Sequence, residues 1–317
     1  MLALRSSWLA IVLAAFLAGG VHRPAAGEIV TYALGNSLTA PLHALDRLES
    51  LTQGEAPNAV DLYRQVRGST AITTFAANPN VPGSDFADPL GTYDVAFANN
   101  HFDIVTMQPF YGPTIRQEAA AAAQIVQLLR QNPANTATRV LILATWPQLV
   151  SGQTYQQQWN TTGFTLDSAF VPSAQAYDLF MAELRLTVPT AEIIPAGHVY
   201  HAIAEALQTP GGVPGLNSIT DLYGDPIHPN NAGAYVESLT AYSVIYGKSP
   251  VGLPYTSSFS NPSWGALLDP AAITPVQQLT WQTTQPLIAV PEGNALTGCS
   301  LAMLAAASRR RRRYAAS

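Results

Sequence analysis

Short apolar runs rich in β-branched residues recur along this chain, and segments with helical spacing separate them. Such runs occupy residues 29–34, 102–107, 140–144 and 191–194. Runs of about four to eight apolar residues are typical of buried strands, and strands that alternate with helices are typical of parallel sheets. We therefore expect an α/β fold, specifically a three-layer α/β/α sandwich with a flavodoxin-like parallel sheet of about five strands.

The composition is that of a chain with a large core and an acidic body. Hydrophobic residues make up 48% of the chain and charged residues 11%. Arg5, Arg23 and the cluster at 309–313 contain seven of the 15 basic residues, so the other eight face all 20 acidic residues. Nucleic-acid binding needs clustered Lys and Arg, and we therefore expect no nucleic-acid partner. Cys299 is the sole cysteine, which excludes an intrachain disulfide.

Two polar stretches contain the residues of a candidate catalytic triad. Gly-Asn-Ser-Leu at 35–38 follows the first strand, where a strand-to-helix turn exposes the hydroxyl of Ser37 at the carboxyl edge of a sheet. Asp-Pro-Ile-His-Pro at 225–229 supplies a carboxylate, Asp225, three residues before an imidazole, His228. Serine, histidine and aspartate together form a nucleophile, a base and a group that orients the base. The alternative is a plain turn at the serine and a packing or capping histidine.

The two stretches together resemble the first and last blocks of the SGNH (GDSL-type) hydrolases, in a variant with Asn instead of Asp before the serine. The resemblance spans roughly residues 29–247. It implies the SGNH hydrolase fold, with Ser37 as nucleophile, His228 as base and Asp225 as the residue that orients the imidazole. It implies no metal and no organic cofactor.

The resemblance also implies an oxyanion hole formed by the amide of Ser37, the amide of Gly68 and the side-chain NH₂ of Gln108. Gly68 precedes a serine and is alternatively part of an ordinary turn. Gln108 stands at the end of a strand where the family normally has Asn, and alternatively caps local backbone. Trp146 follows the run at 140–144 and is either a platform for a sugar ring or a loop anchor.

Two further features of the sequence bear on the cleft. Residues 151–165 form a polar and aromatic insertion that we expect to wall the cleft. His198 and His201 are spaced so that both fall on one face of a helix, but no third ligand accompanies them. We therefore predict no metal site.

The chain divides into four predicted segments. Residues 1–27 have a basic start, an apolar core and small residues before Glu28, as in a cleaved secretory signal; the alternative is an uncleaved membrane anchor. Residues 28–247 form the SGNH hydrolase-like domain, and residues 248–290 form a C-terminal extension. Residues 291–317 form the fourth segment, a candidate sorting signal.

The C-terminus has a distinct pattern. Val-Pro-Glu-Gly at 290–293 precedes an apolar stretch and then five arginines. This pattern resembles the PEP-CTERM sorting signal, with Gly293 in place of the final Pro. The resemblance implies an exosortase-type processing enzyme as partner, transient membrane association through the tail, and a location at the cell surface or in the extracellular matrix. The alternative is a non-specific basic tail or anchor.

Taken together, the sequence predicts an exported serine ester hydrolase that acts on acyl esters of carbohydrates. The substrate would be either a small-molecule acyl ester or an acylated polysaccharide. An acyltransferase that uses the same triad to acylate sugar hydroxyls is one alternative. A non-catalytic surface protein that binds matrix polysaccharide is another, since a fold does not by itself imply activity.

Overall fold

A computed structural model describes residues 29–39, 47–52, 60–83, 89–255, 259 and 267–288. The predicted signal segment at 1–27 and the predicted sorting segment at 291–317 lie outside the described residues. Within the described ranges, none of the helices combines the length and the apolar character needed to cross a membrane.

The centre of the molecule is a parallel sheet of five strands. The strands are β1 (Ile29–Gly35), β2 (Val60–Val66), β3 (Ile104–Met107), β4 (Arg139–Leu143) and β5 (Glu192–Ile194). Their order across the sheet is β2-β1-β3-β4-β5, and every neighbouring pair is parallel. The prediction of a flavodoxin-like α/β fold with about five parallel strands is confirmed.

The register of the strands brings their carboxyl ends to one edge of the sheet. Leu34 of β1 pairs with Met107 of β3, and Met107 pairs with Ile142 of β4. The residues that follow these strands therefore leave the sheet side by side. Loops at this edge form the ligand-binding crevice in open α/β folds.

One helical layer is built around α4 (Ile115–Leu129), which contacts α2 (Ile72–Ala77), α3 (Tyr93–Asn99) and α6 (Ala174–Arg185). A capping box starts α4, because the Thr114 hydroxyl accepts from the Gln117 amide while the Gln117 side chain accepts from the Thr114 amide. All four helices lie in connections that run from β2 towards β5, and right-handed crossovers place such connections on the same face.

The other helical layer is built around α8 (Asn231–Tyr246), every residue of which is buried. Its neighbours are α1 (Leu48–Leu51), α7 (Ala196–Ala206) and α9 (Pro270–Ile288), the last helix among the described residues. A short helix, α5 (Tyr155–Trp159), packs against α7. The C-terminal extension is therefore packed onto the rest of the protein through α9.

One buried glutamine joins that extension to α8. Gln277 of α9 accepts a hydrogen bond from the Gly252 amide at 2.9 Å and donates to the Tyr235 hydroxyl at 2.8 Å and to the Leu253 carbonyl at 2.7 Å. All the hydrogen-bonding groups of this side chain except one lone pair are thus used by α8 and by residues 252–253.

Candidate active site

The side chains of the predicted triad meet at the carboxyl edge of the sheet. Ser37 opens a single 3₁₀ turn directly after β1. Its Oγ lies 2.9 Å from Nε2 of His228, although 191 positions separate the two residues in the sequence. On the other side of the imidazole, Nδ1 lies 2.7 Å from Oδ2 of Asp225. Hydroxyl, imidazole and carboxylate thus form one continuous hydrogen-bonded chain.

Local backbone geometry fixes the carboxylate of this chain. Oδ1 of Asp225 accepts hydrogen bonds from the amides of Ile227 at 2.8 Å and His228 at 2.7 Å. Partial burial acts to raise the pKa of Asp225, but these bonds and the neighbouring imidazole outweigh it and lower the pKa below its ordinary value. The carboxylate is therefore held ionised, and its second oxygen is left for the ring of His228.

The loop that follows β4 supports the Asp225–His228 loop at three points. Nε1 of Trp146 donates to the carbonyl of Ile227 at 2.8 Å, and the amide of Leu149 donates to the carbonyl of Pro226 at 2.7 Å. In the opposite direction, the Tyr223 hydroxyl donates to the carbonyl of Pro147 at 3.1 Å. The loop after β4 thus holds the backbone that carries Asp225 and His228 in place.

The substrate-platform role predicted for Trp146 does not agree with the structure. Its side chain is 0% exposed, and its ring stacks on Tyr200 at a centroid distance of 4.6 Å and an interplanar angle of 10°. Both this packing and the bond to Ile227 match the alternative role of a loop anchor.

The prediction that the insertion at 151–165 walls the cleft is wrong for two of its aromatic side chains. Tyr155 and Trp159 are buried in α5 and face α7, where the Tyr155 hydroxyl donates to the Gly197 carbonyl at 2.8 Å. A Cβ on Gly197 would lie 2.4 Å from the Trp159 ring, so only glycine permits this contact. These two aromatic side chains attach the insertion to the core and do not line a cleft.

The serine turn is organised by Asn36, which is fully buried. Its Oδ1 accepts from the Leu38 amide at 3.0 Å, and its Nδ2 donates to the Thr70 carbonyl at 3.1 Å. Gly35 is required at this turn, because a Cβ there would lie 2.1 Å from Oγ1 of Thr39. In the described part of the chain, no acceptor bonds the amide of Ser37.

Gln108 lies at this turn, and its carboxamide oxygen contacts the residues on either side of Ser37 and Leu38. Oε1 accepts from Oγ1 of Thr39 at 2.8 Å and from the amide of Asn36 at 3.4 Å. Since the amide of Asn36 is only a donor, this contact orients the side chain with its oxygen towards the turn. Nε2 makes one long contact, 3.5 Å to the carbonyl of Pro109. The role of Gln108 as an oxyanion donor stays a prediction.

Gly68 lies in an exposed turn after β2, beside the serine turn. The amide of the preceding residue, Arg67, donates to the carbonyl of Gly35 at 3.0 Å, which joins the two turns. A Cβ on Gly68 would meet no atom within 4 Å, whereas Ser69 has a positive φ of 53°. The Gly68 turn therefore lies next to the serine turn. The contribution of the Gly68 amide to an oxyanion hole stays a prediction.

A buried glutamate that sequence reasoning missed lies behind these turns. Glu118 of α4 is 0% exposed, and its carboxylate accepts backbone hydrogen bonds from Ile72, Thr73 and Phe110. An acidic residue in the first turn of a helix normally suggests a solvated side chain near the helix dipole. The sequence signal that could have indicated burial is the position of Glu118 between Ile115 and Ala122, on the face of α4 that packs inward.

His198 and His201 both lie on α7 and make different contacts. The ring of His198 packs edge-on against Trp159 at 4.9 Å, and Nε2 of His201 lies 3.2 Å from Nδ2 of Asn160 and 3.7 Å from Oε1 of Glu205. Within the described residues, no group of three or more His, Cys, Asp or Glu side chains is arranged to hold a metal ion.

Comparisons with known proteins were made by sequence and by structure, and one solved structure shares the fold. No protein-family model matches the chain, and no curated protein matches it significantly. A DUF4886 family protein from Bacteroides uniformis ATCC 8492 is similar in structure, with a TM-score of 0.53 and 14% identity, over 84% of this chain and 98% of that one. A gut microbial diltiazem-metabolizing enzyme has a TM-score of 0.39 and 13% identity, over 70% of this chain and 48% of its own.

Proposed function

We propose that this protein is a serine ester hydrolase of the SGNH (GDSL) type, with Ser37, His228 and Asp225 as its catalytic triad. The observation that carries the proposal is the chain of two short hydrogen bonds, 2.9 Å from serine to imidazole and 2.7 Å from imidazole to carboxylate. These distances are within the reach that a nucleophile, its base and the orienting group require.

The reaction would proceed through an acyl-enzyme. Nε2 of His228 takes the proton from Oγ of Ser37 as that oxygen bonds to the ester carbonyl carbon. The tetrahedral intermediate then collapses, and His228 returns the proton to the departing alcohol. Water attacks the acyl-serine by the same route, with His228 again as base, and the carboxylic acid leaves. Asp225 holds the tautomer of the imidazole and stabilises its charged form.

Charge on the substrate oxygen would be stabilised by donors at the serine turn. The amide of Ser37 is the best supported donor, because it bonds no acceptor among the described residues. The amide of Gly68 and Nε2 of Gln108 are the other two that we propose. Loss of one such donor typically costs about 3 kcal/mol of transition-state stabilisation.

We propose acyl esters of carbohydrates as the substrate class. The side chains of Asp225 and His228 are 49% and 38% exposed, so an ester on a bulky alcohol can reach the triad from solvent. Predicted export and the predicted polysaccharide-linked sorting tail suit an acylated polysaccharide. The aromatic residues Trp146 and Trp159 add no support, since both are buried.

Labelling with a fluorophosphonate probe tests the chemistry. Oγ of an activated serine displaces fluoride from the phosphorus of the probe. We expect the full-length protein to be labelled and to hydrolyse p-nitrophenyl acetate and acetylated xylan, and Ser37→Ala to do neither. Ser249→Ala is the matched control, because Ser249 is exposed and bonds only the nearby Val251 amide.

Three results would count against parts of the proposal. No labelling and no turnover by the folded wild-type protein would eliminate the hydrolase and favour a binding protein. Equal or better turnover of long-chain p-nitrophenyl esters would contradict the carbohydrate-ester class. Transfer of the acetyl group to an added sugar in preference to water would identify an acyltransferase with the same triad.

A further inference from the structure

Glu118 is unusual because it is a fully buried carboxylate that accepts hydrogen bonds from the backbone amides of two separate segments, and also from the Thr73 side chain. Its Oε2 accepts from Ile72 at 3.1 Å and from Phe110 at 3.3 Å, and its Oε1 accepts from Thr73 at 3.1 Å. Burial outweighs the opposing effect of the bonds from the amides and raises the pKa of this carboxyl above its ordinary value.

The first loop that Glu118 bonds is the one that contains Gly68. Ile72 and Thr73 form the first turn of α2, which begins two residues after Thr70. The N-cap residue, Ala71, has no side chain able to accept from this turn, so Glu118 satisfies the amides that a capping side chain normally would. Thr70 in turn accepts from Asn36, the residue before Ser37.

The second loop that Glu118 bonds is the one that contains Gln108. Phe110 lies two residues after Gln108, which itself contacts Thr39 and Asn36 in the serine turn. Glu118 therefore connects, from behind, the two loops that approach Ser37 from either side. A buried charge is costly when its partners are incomplete, and a well-packed apolar side chain would serve general stability at least as well.

We infer that Glu118 is a positioning residue that sets the separation between the Gly68 turn and the Gln108 loop, and thereby the geometry of the oxyanion hole. The inference rests on the proposed esterase function. Oxyanion donors act at about 2.7–3.1 Å from the developing charge. A displacement of roughly 1 Å in a catalytic group can lower the rate about 10²-fold, so a brace between the two loops has direct consequences for kcat.

The test is Glu118→Gln in the full-length protein. The substitution keeps the shape of the side chain but turns one acceptor oxygen into an NH₂ group that faces backbone N–H donors. We expect kcat on p-nitrophenyl acetate, per fluorophosphonate-labelled site, to fall at least about 10-fold, while KM stays within about twofold. Glu205→Gln is the control, because Glu205 is an exposed carboxylate on α7 that lies outside the proposed site.

A thionoester provides a readout that a general loss of folding would not change. A hole built for an ester oxygen fits the larger sulfur poorly, so the wild-type protein should strongly prefer the oxo-ester over the matching thionoester. A misplaced donor reduces that preference, whereas a smaller fraction of folded protein lowers both rates equally. We expect the ratio of the two rates to fall at least about fivefold in Glu118→Gln.

Each outcome decides one point. An unchanged ratio of rates overturns the inference, whether or not kcat falls. If Glu118→Gln does not fold, Glu118→Asp replaces it. Asp keeps the carboxylate but is one methylene shorter, so its oxygens lie farther from the backbone amides. An unchanged ratio of rates in Glu118→Asp would also overturn the inference. A wild-type protein that neither labels nor hydrolyses contradicts the proposed function itself, so the two failures are distinguishable.

Discussion

Nδ2 of Asn36 donates a hydrogen bond to the carbonyl oxygen of Thr70 at 3.1 Å, and this bond connects the serine turn to the turn after β2. The same side chain accepts from the Leu38 amide through its oxygen. An ionised aspartate has acceptors but no donor, so it could make the second bond and not the first. The chain has Asn where the GDSL block that it resembles has Asp, and this Asn can donate to the Thr70 carbonyl that it faces.

The first prediction is that Asn36→Asp impairs turnover. The substitution would place a carboxylate oxygen against the Thr70 carbonyl in a fully buried position, where an unsatisfied polar group costs about 1–3 kcal/mol and a charged one more. We expect kcat/KM at neutral pH to fall at least about 10-fold. Asn160→Asp is the control, since that amide is exposed. Wild-type kinetics in Asn36→Asp would show that the bond to Thr70 is dispensable.

The second prediction concerns the orientation of the imidazole. Asp225→Asn keeps an oxygen for the amides of Ile227 and His228 but presents an NH₂ group to Nδ1, which favours the wrong tautomer. By analogy with serine proteases, we expect kcat to fall about 10³–10⁴-fold with an intact fold. The measurement is steady-state hydrolysis of p-nitrophenyl acetate, with Asp167→Asn, an exposed ion-pair residue, as control. A loss of less than about 10-fold would remove Asp225 from the triad.

The third prediction addresses the C-terminal extension. Gln277→Leu would leave the Tyr235 hydroxyl without its donor and the amide of Gly252 without its acceptor. The carbonyl of Leu253 would keep only the long bond of 3.4 Å from the Tyr235 hydroxyl. Each buried group left unsatisfied costs about 1–3 kcal/mol, so we expect a loss of at least about 2 kcal/mol in the free energy of unfolding. Denaturant titration followed by circular dichroism measures it, and Gln278→Ala, at an exposed position, is the control. Equal stability in both variants would mean that the hydrogen bonds of Gln277 contribute little to the stability of the protein.

The fourth prediction is a pH dependence of stability caused by His198. Burial and the neighbouring charge of His201 lower the pKa of His198 to about 4, so the unfolded chain binds this proton more tightly than the folded one. The free energy of unfolding should therefore decrease as pH falls from about 6.5 towards 4, by up to about 3 kcal/mol. The contribution is fully present above the unfolded pKa.

His198→Phe tests this prediction, because phenylalanine keeps an aromatic ring beside Trp159 and removes the titrating group. Unfolding curves at pH 8, 6 and 4.5 should show a smaller decrease in the variant than in the wild type. The comparison at pH 8 separates any packing effect from titration. Parallel decreases in both proteins would assign the acid sensitivity to other groups.

The features that sequence predicted well depend on short-range pattern and on edge topology. Apolar β-branched runs identified the sheet, and a serine after β1 must emerge at the same edge as residues that follow β3 and β4. The pairing of Ser37 with His228 followed from the two blocks and their order.

The features that sequence did not predict depend on partners from distant elements. Trp146 is buried because Tyr200 of α7 stacks on it, and nothing near Trp146 in the sequence indicates that contact. The orientation of the Gln108 carboxamide is set by Thr39 and by the amide of Asn36 across the sheet edge. For Glu118, local rules favour solvent exposure, and only the arrival of two loops makes burial feasible.

The enclosure of α8 has a consequence for biosynthesis. His228 lies three residues before the start of α8, and the helix is covered on one side by α9, which ends at Ile288. A nascent polypeptide that stops short of α9 leaves that side of α8 in water, so the helix and the loop before it lack their final support. We therefore expect the hydrogen bond between Ser37 and His228 to become stable only when residues up to Ile288 are available to fold.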